Sequence, residues 1–202
     1  MHHKPDDILE INLSKATSTN DIAKKISLSR PVVIITASEQ TKGRGRYNDR
    51  KWFSPKDSGL YISIVFSDID NFDSECLPYI TKMISTSVYE TLADYNISLF
   101  IKPPNDIYTK TGKIAGVLAE SKTKGNIVER IISSAGINIK RPDKVPIEIK
   151  HKSSYLSDHI KIRENEIDIL KKGFLKNLFK NFELVKNKKY SLIDEKFSSY
   201  LI

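Results

Sequence analysis

Two runs rich in β-branched residues, VVIITAS at 32–38 and GLYISIVFS at 59–67, flank residues 40–57, which are polar, rich in glycine and arginine, and without apolar periodicity. This arrangement constrains the fold more than any other feature. Such runs read as buried strands, and Pro31 marks the entry to the first. The segment between them is far longer than a tight hairpin turn. Loops longer than ~12–15 residues inside compact domains usually serve function or are disordered. The chain is therefore expected to hang a large, arginine-bearing loop from the middle of a sheet.

The remaining pattern fills in around that sheet. Thr19 or Asn20 is expected to cap a short helix to about Ser27, with Ile22, Ala23 and Ile26 on one face. Leu77, Ile80, Met83, Ile84, Val88 and Leu92 recur at helical spacing and predict a helix from about Ser74 to Tyr95. Strand patterns resume at SLFIKP. The turn TKTGK separates DIY from IAGVLAES as in a hairpin, and ERIISSAGINI is a further strand. An amphipathic basic helix from Glu164 to about Val185 and a shorter one near 191–201 close the chain. Strict βαβ alternation is missing. The expected class is α+β: a central mixed, largely antiparallel β-sheet with flanking α-helices.

Length and composition exclude several classes. The chain's 202 residues suit one sizeable domain, and 39% hydrophobic with 29% charged residues is ordinary for a globular protein. No apolar run approaches the ~20 residues of a membrane span, and the N-terminal residues carry no apolar signal core. A cytoplasmic protein without membrane partners is expected. The single cysteine, Cys76, allows neither a disulfide framework nor a cysteine-based metal site. The net charge of +8 favours anionic partners. Much of the excess, however, sits at Lys171, Lys172, Lys176, Lys180, Lys186, Lys188 and Lys189, which read as a solvated helix face. Neither aromatic platforms nor a recognition helix accompanies it, so no DNA partner is expected.

Four clusters carry possible chemistry, and each has a plainer reading. The loop QTKGRGRYNDRKWFSP holds Gly43, Arg44, Gly45, Arg46, Arg50 and Trp52. Glycines admit close backbone approach, arginine forks match phosphate or carboxylate oxygens, and an indole stacks on a base; the plainer reading is a basic loop that contacts nothing. In IKPPNDIYTKTGKIAGVLAES, two prolines make the approach to Asn105 and Asp106 extended and stiff. Lys113 sits at a hairpin turn, and Gly116 lies inside a strand, where glycine often marks a close approach by a ligand. Equally, Lys113 reads as an exposed turn lysine and Asp106 as a turn cap. Ser18, Thr19 and Asn20 open a helix, where hydroxyls are usually caps. Ser134, Gly136 and Asn138 interrupt a strand pattern.

As an ordered set, STN, Q-x-x-GRGR…W-x-SP-x(4)-LY-x-S, K-x-PND-x(6)-KIAG-x-L-x-E and GIN resemble the catalytic domain of the biotin protein ligases over about residues 10–180. The resemblance implies the biotin/lipoate ligase fold, related to class II synthetases. It implies ATP-dependent activation of biotin to biotinyl-5′-AMP, followed by transfer to a lysine of a biotin carboxyl carrier protein domain. Mg²⁺ is the expected companion of ATP, and no metal-ligating set of side chains is expected. By the same resemblance, Ser18, Thr19, Gln40, Gly43, Arg44, Gly116, Leu118 and Ser134 belong to the biotin side. Arg46, Arg50, Trp52, Asn105, Asp106 and Asn138 belong to the adenylate side. Lys113 bridges the biotin carboxylate and the α-phosphate, with Arg46 as the second catalytic cation.

The chain departs from the family pattern in three places. Pro103 stands where tryptophan is usual, giving KPPND and removing a ring beside the site. Tyr47, Asn48 and Asp49 make the Arg46–Arg50 spacing one residue longer. Ser134 stands where a glycine commonly faces biotin. The expected organisation is a catalytic domain over 1–185 and a helical tail over 186–202. Neither the helix-turn-helix domain nor the small C-terminal β-domain of the family is expected. A homodimer is expected from the way relatives pair through their sheets. Two rival readings are a lipoate ligase, whose RR-x-x-GGG-x-V-x-H-D stretch is absent, and a non-catalytic biotin or biotinyl-AMP binder.

Overall fold

The computed structural model describes residues 7–27, 29–46, 51–67, 69 and 72–202. A seven-stranded sheet runs in the order β1-β2-β3-β7-β6-β5-β4. Its strands are β1 (Ile8–Leu13), β2 (Val32–Ala37), β3 (Gly59–Phe66), β4 (Phe100–Lys102), β5 (Asp106–Thr109), β6 (Gly112–Lys124) and β7 (Ile127–Asn138). Only the β1–β2 pair is parallel; the other pairs are antiparallel. The mixed, largely antiparallel sheet is thus as expected. Sequence reading assigned no element to residues 8–13. ILEINL is a half-buried edge strand with a loose apolar alternation, and it gains definition only from its partner Val32–Ala37.

Among the described residues, five α-helices accompany the sheet: α1 (Thr19–Lys25), α2 (Leu77–Ala93), α3 (Ile147–Lys150), α4 (Glu166–Lys186) and α5 (Tyr190–Ser199). Two boundaries differ from expectation. Ser18, not Thr19 or Asn20, caps α1, its hydroxyl accepting from the backbone N–H of Asp21, and the helix ends at Lys25. Residues Ser74–Cys76 form a tight 3₁₀ turn, so α2 itself begins at Leu77, with a proline in its first turn.

The strands' period-2 alternation divides side chains between the two sheet faces. Ile62, Ile64, Ala135 and Ile137 point into one core with residues of α2, α4 and α5, including Leu92, Phe174, Phe182 and Phe197. Phe66 and Phe182 stack there with centroids 4.0 Å apart. Helix α5 belongs to this core through Ile193 and Phe197, and the ammonium of Lys196 lies 2.6 Å from the carboxylate of Glu90 in α2. The opposite face carries a smaller cluster of Ala23, Val33, Ile35, Val65 and Ile132 beneath α1. Beside that cluster the strands present Ser63, Ser134, Gly136, Gly116 and Leu118, and small side chains there leave room for a cavity.

Candidate active site

A cavity of about 460 Å³ opens on the α1 face. It brings together Ser18, Thr19 and Gln40, then Arg44, Arg46 and Trp52 of the long loop, Asn105 and Asp106, and finally Lys113, Gly116, Leu118 and Ser134. Segments far apart in sequence thus meet over the middle of the sheet. Gly43 does not line the cavity. A Cβ there would fall 2.4 Å from the carbonyl oxygen of Trp52 and 2.7 Å from the Ser54 hydroxyl, so this glycine serves the loop's own closure. Asn138 lines a smaller neighbouring cavity of about 170 Å³ with Trp52, Lys113 and Tyr155. Its amide also donates to the backbone carbonyls of Lys113 and Ser154, tying the 152–155 segment to β6. Arg50 lies outside the described residues.

A bulge in β6 builds the centre of the site. Ile107 pairs with Ala115 but Tyr108 with Lys113, so Ile114 is the extra residue. Ile114 and Ala115 are consequently both buried in the main core. The bulge returns Lys113 to the face that carries Gly116, a re-aiming typical of bulges beside functional sites. Lys113 is therefore a half-buried strand residue rather than the turn lysine expected from sequence. Its ammonium lies 2.6 Å from the Asp106 carboxylate and 5.0 Å from the centre of the Trp52 ring system. A Cβ on Gly116 would come within 3.0 Å of that ammonium and 3.2 Å of the indole. The close approach foreseen at Gly116 is thus made by the protein's own side chains.

Other sequence expectations change in detail. The Pro103–Pro104 bond is cis, and residues 103–105 form a turn rather than an extended approach. The Asn105 side chain donates to the carbonyl of Val117, and its own carbonyl accepts from the Val117 N–H, so it seats that turn against β6. Arg44 donates to Asp21 at 2.9 Å and lies 3.8 Å from Glu120, which orients it along the cavity wall. Among the described residues, Arg44, Arg46, Lys51, Lys102 and Lys113 line the cavity against one carboxylate, Asp106. Such an excess of fixed cations in a recess attracts anions. Lys51 and Tyr108 were not foreseen, and Lys102, the lysine of the K-x-PND motif, had been given no site role.

Another part of the cavity is lined by hydrogen-bonded hydroxyls and amides, with the Arg44 guanidinium at its edge. The Thr19 backbone N–H donates to Gln40 Oε1 at 2.8 Å, and the Gln40 amide donates to Ser54. Ser63, the serine of the LY-x-S motif, to which the sequence assigned no role, joins Thr19 at 2.9 Å and Ser134 at 2.8 Å. Cys76 is buried away from the site, and burial, reinforced by Asp73, pushes its thiol up to about 11, which leaves it without thiolate character at neutral pH.

Fold and site together define an α+β domain with a cationic small-molecule cleft over its sheet. The chain belongs to the biotin/lipoate A/B protein ligase family, whose model matches residues 13–138. It is similar to the bifunctional ligase/repressor BirA of Bacillus subtilis, 29% identical over 126 residues, covering 61% of this chain and 38% of that protein. Similarity to the biotin–[acetyl-CoA-carboxylase] ligase of Paracoccus denitrificans is 28% over 129 residues, covering 63% of this chain and 53% of the other. The chain thus spans about two fifths to a half of the length of these relatives. Among solved structures, a biotin protein ligase from Aquifex aeolicus in complex with biotin and ATP superposes with a TM-score of 0.80 at 28% identity, over 96% of this chain and 78% of that one. A biotin protein ligase from Leishmania major in complex with biotinyl-5-AMP shares the fold, with a TM-score of 0.74 at 22% identity, over 98% and 83% of the two chains.

Proposed function

We propose that the chain is a biotin protein ligase. A carboxylate oxygen of biotin attacks the α-phosphorus of ATP, the bond from that phosphorus to the bridging oxygen breaks, and pyrophosphate leaves. The ε-amine of a lysine on a biotin carboxyl carrier protein domain then attacks the acyl carbon of biotinyl-5′-AMP. AMP departs and the amine loses a proton. The observation that carries this reading is the cavity that combines hydroxyls and amides, an indole wall, and Lys113 5.0 Å from that indole. Adenylation must bring a carboxylate up to a triphosphate, and their repulsion has to be offset by fixed cations. In this reading Lys113 meets both anions, and Arg46, which lines the same cavity, is the second cation. Positioning then supplies most of the remaining acceleration. No covalent enzyme intermediate is needed, in keeping with the inert Cys76.

Mg²⁺ would arrive with the nucleotide. Among the described residues no group of three or more His, Cys, Asp or Glu could cage a metal. Mg²⁺ is commonly held by one or two carboxylates plus substrate phosphates, and Asp106 is the cavity carboxylate in place to join it. We place the enzyme in the cytoplasm, where ATP and the carrier are at hand, and as a homodimer; no described helix is long and apolar enough to cross a membrane.

Pyrophosphate release on mixing the protein with ATP and biotin tests the proposal, with lipoate and octanoate as controls. Release with biotin alone is expected. Equal or greater release with lipoate would assign the chain to the other branch of its family. Biotin binding without release would make it a binder rather than an enzyme.

A further inference from the structure

The hydroxyls and amides of the cavity form a single directed chain of hydrogen bonds that starts at Arg44. Each proton's direction follows from groups that can play one role only. Arg44 can only donate, and its guanidinium faces Asn20 Oδ1 at 3.5 Å, so the Asn20 amide nitrogen points the other way and donates to Ser134 at 3.0 Å. At the far end, the Thr19 backbone N–H selects the oxygen of the Gln40 amide, which therefore also accepts the Thr19 hydroxyl proton at 3.2 Å. With that proton committed, Thr19 accepts from Ser63, and Ser63 in turn accepts from Ser134. The Gln40 nitrogen donates to Ser54, whose proton ends on the carbonyl of Trp52. A hydroxyl has one proton. Thr19 and Ser134, which line the cavity, have both given theirs to the chain and can offer a ligand lone pairs alone.

Ser63 is the middle link. It is fully buried, lies on β3 directly opposite Ser134 of β7, and is not part of the cavity wall. We infer that Ser63 is a positioning residue that turns the Ser134 proton away from the cavity, as Gln40 turns that of Thr19, so that the pocket selects a ligand head carrying N–H donors. The inference rests on the proposed function and deepens it. The head of biotin is a cyclic urea with two N–H groups, whereas a dithiolane has none. In a buried site a donor meeting an acceptor is favourable, while a donor facing a donor leaves both unsatisfied. Ser18 completes the match. Its oxygen accepts the Asp21 N–H, which leaves its proton available to an acceptor such as the urea carbonyl.

Removing the link releases the Ser134 proton toward the cavity. In Ser63→Ala the affinity for biotin is expected to fall about tenfold or more, the usual scale for one mismatched buried donor. The affinity for biotin methylated on both urea nitrogens should fall little or rise, since its carbonyl can take the released proton. The ratio of the two affinities is the readout, measured by calorimetry without ATP alongside the melting temperature. Ser63→Cys, of similar volume but with a weak acceptor, should shift the ratio the same way and less. Ser133→Ala, which removes a neighbouring buried hydroxyl without a hydrogen-bond partner, should leave the ratio unchanged. Wild-type protein that binds biotin, with an unchanged ratio in Ser63→Ala or an equal loss for both ligands, would overturn the role of Ser63 and leave the ligase reading standing. Wild-type protein that does not bind biotin would overturn the ligase reading and this inference with it.

Discussion

Gly136 lies directly beneath Trp52: a Cβ on the glycine would fall 2.4 Å from the indole Nε1. Its neighbour across the β6–β7 ladder is Gly116, and together the two glycines form a saddle that carries the ring. The indole N–H is buried there without an acceptor. Gly136→Ala should therefore lift the ring out of its seat. Trp52 is the chain's one tryptophan, so its emission should shift to the red, and the change on adding ATP and biotin should shrink. An unchanged spectrum in the variant would show that the saddle does not hold the ring.

If the proposed function holds, Lys113→Ala removes the cation that meets both anionic substrates. Hydrogen bonds to charged groups contribute ~1.5–3 kcal/mol, so biotin-dependent pyrophosphate release should fall by at least about tenfold. Lys110 lies in the exposed hairpin turn, and Lys110→Ala should be silent. Equal damage from the two variants, or near-normal release by Lys113→Ala at an unchanged melting temperature, would remove Lys113 from the chemistry.

The 2.6 Å pair of Lys113 with Asp106 has a consequence for binding order. Asp106 holds the ammonium, and under the proposed function a substrate carboxylate must displace it. Asp106→Asn should accordingly bind biotin several-fold more tightly in the absence of ATP, yet form biotinyl-AMP more slowly, because the carboxylate proposed for the nucleotide side is lost. Calorimetry and pyrophosphate release separate the two effects. Weaker biotin binding by Asp106→Asn would argue that the carboxylate orients the lysine instead of competing for it.

Glu166, at the start of α4, has a side chain with no solvent exposure, hydrogen-bonded to Arg163 at 3.0 Å and to the Tyr95 hydroxyl at 2.7 Å. The hydrogen bonds from Arg163, above all, hold its carboxyl below the ordinary 4.5. A depressed carboxyl stabilises the fold fully above its unfolded value and loses that contribution as pH falls through the folded one. Thermal stability should thus decline below about pH 4.5, and Glu166→Gln should flatten that decline while lowering stability at neutral pH. A wild-type and variant pair with parallel acid profiles would mean that other carboxylates govern acid unfolding.

Much of this architecture is readable along the chain because it depends on local pattern. Apolar runs in β2, β3 and β7, the helical spacing of α2 and α4, and the loop between Gln40 and Ser54 follow from the intrinsic geometry of strands, helices and turns. The motif residues were also legible, since STN, GRGR, KIAG and GIN combine glycines and charges in a way that core packing does not require. What escaped was whatever needs a neighbour. Strand β1 exists through its parallel partner, and Ser63 becomes part of the site through Thr19 and Ser134, which lie 44 and 71 residues away.

The sequence by itself determined the class of fold, the identity of the basic and hydroxyl groups, and the presence of a large arginine-bearing loop over a sheet. The tertiary structure decided which way those groups face. A bulge at Ile114 turns Lys113 from a turn residue into the cation over Gly116, and a saddle of two glycines places Trp52 beside it. A chain of hydroxyls orders the protons of the far wall. Each depends on register between strands and on contacts between segments distant in sequence. A one-residue shift in a strand exchanges its two faces, and no local pattern records it.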